Sequence, residues 1–172
     1  TEMVDNASRV AASTDLPVIA DGDTGYGSVA NVERTVAQYE RAGVSAIQLE
    51  DQVMPKRCGQ MADKSVVPVD EMVTKVRAAV AKRDEMLVIA RTDARAPEGL
   101  DAAIERGHAY VAAGADVLFL EALESFDEFE RVGGESFGVP LVYNRVEGGR
   151  SPALGADEIA ALGYRLLLLP IS

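Results

Sequence analysis

Apolar positions along the chain fall into two alternating patterns. Runs rich in Val, Ile and Leu recur at residues 17–21, 46–50, 87–92, 117–121, 140–144 and 165–170, and each reads as a strand. Between them the apolar residues return every three or four positions. Val29, Val32, Val36 and Tyr39 form one such set, Met72, Val73, Val76 and Val80 a second, and Leu100, Ile104 and Val111 a third. That is helical spacing. Residues 1–13 read as a further helix ahead of the first strand. Almost wholly apolar strands separated by amphipathic helices predict a parallel sheet covered by helices.

An internal repeat sharpens this picture. Residues 42–50 read AGVSAIQLE, residues 113–121 read AGADVLFLE, and residues 162–170 give a weaker third copy, LGYRLLLLP. In each copy a glycine follows a helix, where a left-handed residue ends it at low cost. Repeated βα units predict an α/β fold of the (β/α)8 TIM-barrel type. Six strands stand where a barrel has eight, and 172 residues fall below the usual length of about 200–250. Residues 1–172 are therefore expected to form one partial barrel domain, with leading strands and a final helix outside it. The alternative is an open, doubly wound sheet, although no Gly-rich phosphate fingerprint follows the first strand.

Composition narrows the function. A chain 48% hydrophobic and 26% charged fits a globular domain, and no apolar run approaches the length of about 18 residues that a membrane helix needs. A net charge of −11 argues against nucleic acid or an anionic membrane as partner. An anionic substrate then needs a local basic cluster. The single cysteine, Cys58, excludes an intrachain disulfide framework, and no secretory pattern opens the sequence. A cytoplasmic location is expected.

Polar residues gather at the strand ends: Asp21 and Asp23, Glu50 and Asp51, Arg91 and Asp93, Glu121, Asn144 and Arg145. In a barrel these ends converge at the C-terminal mouth, where active sites sit. Asp21 and Asp23, two residues apart, face the same way on a strand. With Glu50 they make three carboxylates in a small volume, which calls for shared protons or a cation. Hard oxygen donors suit Mg²⁺, with Mn²⁺ as a substitute. The competing reading has Asp21 or Asp23 capping the helix that starts near Ser28. After the second strand comes Pro55-Lys56-Arg57-Cys58-Gly59-Gln60, where two cations flank a thiol and favour its thiolate. A solvated basic loop with an incidental cysteine is the alternative there.

Asp21-Gly22-Asp23-Thr24-Gly25-Tyr26-Gly27, Leu49-Glu50-Asp51-Gln52, Pro55-Lys56-Arg57-Cys58-Gly59, Ala90-Arg91-Thr92-Asp93-Ala94 and Ala113-Gly114-Ala115-Asp116 follow one another in an order and spacing that resemble the isocitrate lyase/phosphoenolpyruvate mutase family. The resemblance covers essentially the whole chain. It implies a (β/α)8 barrel in a homo-oligomer, dimer or tetramer, with Mg²⁺ bound by Asp21 and its waters held by Asp23 and Glu50. It further implies that Arg91 binds a small-molecule carboxylate, with Glu121, Asn144 and Gly59 lining the same pocket. A mobile loop brings Lys56 and Arg57 over that pocket, and in the lyases the matching cysteine protonates the product carbanion. Cys58 points to carbon–carbon cleavage of a 2-methylisocitrate-like acid, because the phosphonate mutases carry Asn, Ser or Thr there. The lyases follow Cys-Gly with His. This chain has Gln60, an amide that hydrogen-bonds but does not titrate near neutral pH.

Other polar features read as structural. His108, the only histidine, falls at the edge of a helix stripe, and Glu124, Asp127, Glu128 and Glu130 read as a solvated helix face. Residues 148–152 read as a turn at the mouth, from which Arg145 or Arg150 could touch substrate, and Tyr26, after the acidic pair, could line the pocket. Rival functions are a mutase or hydrolase acting on phosphonopyruvate or oxaloacetate, and a non-catalytic paralogue.

Overall fold

Strands and helices alternate through the described part of the computed structural model, residues 2–61 and 63–170. The order is α1 (Glu2–Ala12), β1 (Ile19–Asp21), α2 (Val29–Arg41), β2 (Ala46–Glu50), α3 (Val69–Lys82), β3 (Leu87–Thr92), α4 (Arg95–Glu98), α5 (Leu100–Ala112), β4 (Val117–Leu120), α6 (Phe126–Gly134), β5 (Val142–Asn144), α7 (Ala156–Ala161) and β6 (Leu166–Leu168). Among the described residues no helix is long and apolar enough to cross a membrane. Every strand expected from the apolar runs forms, most of them trimmed at one or both ends.

The strands lie side by side in chain order. β1 to β4 form one parallel sheet and β5 pairs in parallel with β6. A parallel bridge between Leu118 and Leu141 joins the two sets, with Leu118 N–H donating to Pro140 O at 3.0 Å. A doubly wound sheet reverses its strand order at a switch point; among the described strands there is no reversal. Six strands in sequence order make an arc of a barrel wall.

The repeated glycines do the same work three times. Gly43, Gly114 and Gly163 have φ of 84°, 105° and 94°. After α2, Gly43 N–H donates to Glu40 O at 3.0 Å and Val44 N–H to Tyr39 O at 3.2 Å. After α5 the bonds are Gly114 to Val111 and Ala115 to Tyr110; after α7, Gly163 to Ala160 and Tyr164 to Ile159. Each pair is the Schellman closure that satisfies the last helical carbonyls and turns the chain into the next strand.

Period-two alternation sorts the strand residues between two layers. Ala20, Ile47, Leu49, Val88, Ala90, Leu118, Leu120 and Tyr143 pack outward in the large cluster shared with the helices. Ala46, Ile89, Val117, Phe119 and Val142 form a second cluster on the other face. By the same alternation Asp21, Glu50, Arg91, Glu121 and Asn144 fall on that second, inner face.

Two neighbouring glycines at the end of α6 give a stability test. A Cβ on Gly133 collides with the backbone oxygen of Leu162, whereas one on Gly134 meets nothing within 4 Å. Gly133→Ala is expected to destabilise by about 1–3 kcal/mol through overpacking. Gly134→Ala is expected to be neutral or to stabilise by up to about 1 kcal/mol through lost unfolded-state freedom. Thermal melts of the two variants check this; similar losses for both would refute the close α6–α7 packing.

Candidate active site

The inward strand ends and the loop after β2 enclose a cavity of about 530 Å³. Glu50, Lys56, Arg57, Cys58, Gly59, Gln60, Arg91, Glu121 and Asn144 all line it. These include eight of the residues singled out for chemistry, plus Gln60, which the sequence marked only as a departure from the lyase pattern. Glu50 and Arg91 are paired in register across β2 and β3, so the ladder itself sets their spacing.

Asp21 and Asp23 stand beside this cavity and reach it through Lys56. The ammonium of Lys56 lies 3.5 Å from Asp21 Oδ2 and 3.6 Å from Glu50 Oε1, and pairs directly with Asp23 Oδ1. The three carboxylates expected to meet a cation therefore surround one, supplied by the loop. Burial lowers the Lys56 pKa, but the Asp23 hydrogen bond and the charges of Glu50, Asp21 and Asp23 outweigh it and hold the amine protonated. Among the described residues no three Asp, Glu, His or Cys side chains are arranged as a metal cage; Lys56 stands between the acids.

Asp21 and Asp23 do not share one strand face. Asp21 ends β1, but Asp23 lies beyond it in the left-handed region, with φ 48°. Its N–H donates to Asp21 Oδ1 at 2.9 Å, and its carbonyl accepts from Glu50 N–H at 2.8 Å. An Asx turn, not the strand pleat, aims the second carboxylate. Neither aspartate caps α2: Ser28 takes the N-cap position, its N–H and hydroxyl both donating to Asn31 Oδ1.

Glu50 is the deeply buried acid of the three. It is 1% exposed, and neither carboxylate oxygen has a hydrogen-bond partner in the described structure. Burial pushes its pKa up to about 7, against the opposing pull of Arg91 and Lys56. Buried carboxylates without donors are costly unless a cation meets them. Two orphaned oxygens facing Asp21, Asp23 and a cationic position fit a divalent ion with oxygen ligands.

Arg91 forms the floor of the cavity. Its Nε and Nη2 donate to Asp93 at 2.9 and 3.0 Å. Glu50 and Glu121 lie 3.6 and 3.9 Å from its Nη1 and Nη2, and its guanidinium carbon sits 5.2 Å from the Phe119 ring centre. Burial works against that charge, but the surrounding acids raise the Arg91 pKa further. Glu121 accepts from Asn144 Nδ2 at 3.1 Å and from Gln60 Nε2 at 2.5 Å.

Gly59 lies directly on Arg91 and Glu121. A Cβ there would meet an Arg91 Nη and stand 2.5 Å from Glu121 Cγ, so only glycine lets the loop descend this far. Cys58, exposed on the loop, faces the same cavity. The expectation that Lys56 flanks the thiol is not met: its ammonium turns to the aspartates. The Arg57 backbone is clamped by Gln52, which donates to Arg57 O and accepts from Arg57 N–H, both at 2.9 Å.

Lys64 escaped the sequence reading, and Asp51, read there as a residue of the mouth, lies elsewhere. Lys64 is fully buried and donates to Gly59 O and, at 2.9 Å, to Asp93 Oδ1. Burial raises the Asp93 pKa, but Arg91 and Lys64 outweigh it and hold the carboxyl below its ordinary range. Asp51 follows Glu50 and so points the other way, into the helix layer. There it accepts from Thr92 Oγ1 and Tyr110 OH, both at 2.7 Å, and from Asp93 N–H at 2.9 Å. Its one usable signal was parity with Glu50. Glu124 and Glu128 pair with Arg95 instead of forming a purely solvated face, and His108 stays on the flank beside Glu135 and Phe137.

Comparison with known proteins follows these positions. A 2,3-dimethylmalate lyase of Eubacterium barkeri is 49% identical over 172 residues, covering 99% of this chain and 59% of its own. A 2-methylisocitrate lyase of Aeropyrum pernix is 44% identical over 172 residues, covering 100% of this chain and 56% of its own. The chain thus spans under two thirds of the length of the curated relatives it matches. Among solved structures, oxaloacetate acetylhydrolase with 3,3-difluorooxalacetate superposes with a TM-score of 0.93 at 41% identity, over 97% of this chain and 58% of that one. Phosphonopyruvate hydrolase with oxalate and Mg²⁺ gives 0.80 at 36% identity, over 96% and 57%. The arc of strands is accordingly part of a TIM-barrel-type α/β fold. A family model described as phosphoenolpyruvate phosphomutase matches residues 1–170, and the chain belongs to that family, the isocitrate lyase/phosphoenolpyruvate mutase group of enzymes.

Proposed function

We propose that the protein carrying this chain is a Mg²⁺-dependent carbon–carbon lyase acting on a small 2-hydroxy or 2-oxo di- or tricarboxylate. The observation that carries this reading is the seat of Cys58 on a loop facing Arg91, Glu121 and Asn144 across one cavity. The substrates named for the two lyase relatives, 2,3-dimethylmalate and 2-methylisocitrate, share a carbon bearing hydroxyl, methyl and carboxylate. It is bonded to a second carbon bearing hydrogen and a carboxylate. They differ only in one substituent on that second carbon.

Cleavage between these carbons gives the hydroxyl proton up to a base, turns the hydroxyl carbon into a ketone and leaves the electron pair of the broken bond on the second carbon, conjugated with a carboxylate. Asp21, Asp23 and Glu50 would hold Mg²⁺, or Mn²⁺ with the same oxygen donors. When bound, the ion supplies Lewis-acid stabilisation of the oxygen on which charge develops. Arg91 and Asn144 orient the substrate carboxylate, and Lys56 and Arg57 on the loop add positive charge. The Cys58 thiol returns a proton to the carbanion as general acid, and the loop excludes water while that carbanion exists. A homo-oligomer, dimer or tetramer, belongs to the same reading.

Likeness to oxaloacetate acetylhydrolase supports a second reading, hydrolysis of a 2-oxo dicarboxylate at the same site. Incubating the full-length protein with Mg²⁺ and 2,3-dimethylmalate, 2-methylisocitrate, oxaloacetate or phosphonopyruvate, with products read by mass spectrometry, separates the two. Pyruvate from the hydroxy acids supports the lyase. Turnover of oxaloacetate or phosphonopyruvate alone would overturn it.

Two variants test the roles. Cys58→Ser is expected to lower kcat by about 10²–10⁴-fold, the usual weight of a general acid, while KM stays within a few-fold. An equal loss in KM would make Cys58 a binding residue. Mg²⁺ with oxalate is expected to raise the melting temperature of the native protein through ligand linkage, and Asp21→Ala to remove that rise. Glu50→Gln is expected to melt higher than the native protein without metal, by about 2–4 °C for each kcal/mol of buried charge relieved, yet to gain less from Mg²⁺. An undiminished metal effect in both variants would refute the assignment.

A further inference from the structure

The loop that carries Cys58 is anchored at its root by backbone pairing. Val53 N–H donates to Ser65 O and Val67 N–H to Asp51 O, at 2.9 and 2.8 Å. The buried ammonium of Lys64 adds its bonds to Gly59 O and Asp93. These contacts all lie on the β2–β3 side of the cavity. Gln60 reaches the opposite wall. Its amide NH₂ donates to Glu121 Oε1, past the end of β4, at 2.5 Å, and its amide oxygen accepts from Arg150 N–H, in the turn after β5, at 2.9 Å.

We propose that Gln60 is the latch that holds the cysteine-bearing loop shut, by bridging Glu121 and the Arg150 backbone across the mouth of the cavity. Two glycines make the bridge fit. Gly59 lets the loop rest on Glu121, and a Cβ on Gly149 would come within 3.0 Å of the Gln60 amide oxygen. The bridge needs one donor and one acceptor on a side chain of this length, which an amide supplies without carrying charge. Opening the loop takes the Gln60 bond from Glu121, which is 1% exposed while the loop is closed, and leaves Asn144 as its one hydrogen-bond donor among the described residues. A buried carboxylate that loses a donor favours reclosure. A neutral imidazole also offers one donor and one acceptor, but an imidazolium has no acceptor for Arg150 N–H. The amide keeps this latch independent of protonation across the neutral range. Gln60 is thus a positioning residue: it acts through the loop, on when Cys58 faces the substrate.

That functional meaning rests on the lyase reading, whereas the latch itself is testable without turnover. Lys56 and Arg57 make the loop a tryptic site. Because cleavage follows the open population, and a hydrogen bond to a charged group weighs one to two orders of magnitude in it, Gln60→Ala in the full-length protein is expected to be cut after Lys56 or Arg57 at least about tenfold faster. Gln60→Glu, of the same size, should be cut faster still, because it sets a second carboxylate against Glu121. Adding Glu121→Gln to Gln60→Glu reverses the donor and acceptor of the pair and is expected to restore resistance. Melting temperatures matching the native protein certify that each variant is folded.

Equal cleavage of native and variants overturns the latch. So does faster cutting of the alanine than of the glutamate variant, which would mark a packing role, and so does failure of the exchanged pair to recover. If the single variants misfold, the exchanged pair still decides, since it alone rebuilds the bridge. A latch that behaves as described in a protein that turns over none of the acids above leaves this inference standing and removes the lyase reading.

Discussion

The parallel ladder that sets Glu50 beside Arg91 governs every other charge at this site. Register places the strand ends at one level, and the pleat sends alternate side chains to opposite faces. Glu50, Arg91, Glu121 and Asn144 are drawn into one cavity, while Asp51 and Thr92, one residue away from Glu50 and Arg91, enter the helix layer and bond to each other. A one-residue slip would exchange the two sets. The apolar outer cluster, which buries Ile47, Leu49, Val88 and Ala90 against the helices, makes such a slip expensive. The hydrophobic layer thereby fixes the chemistry of the polar one.

Concentrating charge there has an electrostatic consequence. The cavity lining carries Glu50, Glu121 and Glu147 against Lys56, Arg57 and Arg91, so a site in a chain of net charge −11 is locally balanced. Two of the three cations arrive on the loop. The strand-borne lining is thus mainly acidic, and the loop brings most of the positive charge. The raised Glu50 pKa has burial as its main cause, which Arg91 and Lys56 only partly offset. Lys56 lies among Asp21, Asp23 and Glu50 in this structure.

Behind the lining, a second row of ion pairs keeps the first in place. Asp93 receives Arg91 on one side and Lys64 on the other, so the arginine of the floor and the base of the loop share one carboxylate. Asp51 ties the Asp93 backbone to Tyr110 and Arg106 of α5. The helix layer, the floor and the loop are joined by buried charge-assisted bonds, which hold geometry well because breaking any one leaves an unpaired buried ion.

Strand and helix periodicity, the repeated post-helix glycines and the run of charged strand ends were legible along the chain, because they depend on spacings of two and 3.6 residues and on the one residue that accepts positive φ freely. Those features determined the α/β class, the sequential βα repeat and the candidate residues of the mouth. Tertiary structure alone decided the partners. Asp23 turns out of the strand to reach Lys56; Lys56 chooses the aspartates over the thiol; Lys64, Gln60 and Arg106 pair with groups 29 to 90 residues away. No local pattern encodes such a pairing, since its energy comes from removing both charges or dipoles from water together, and that happens only when the fold has closed around them.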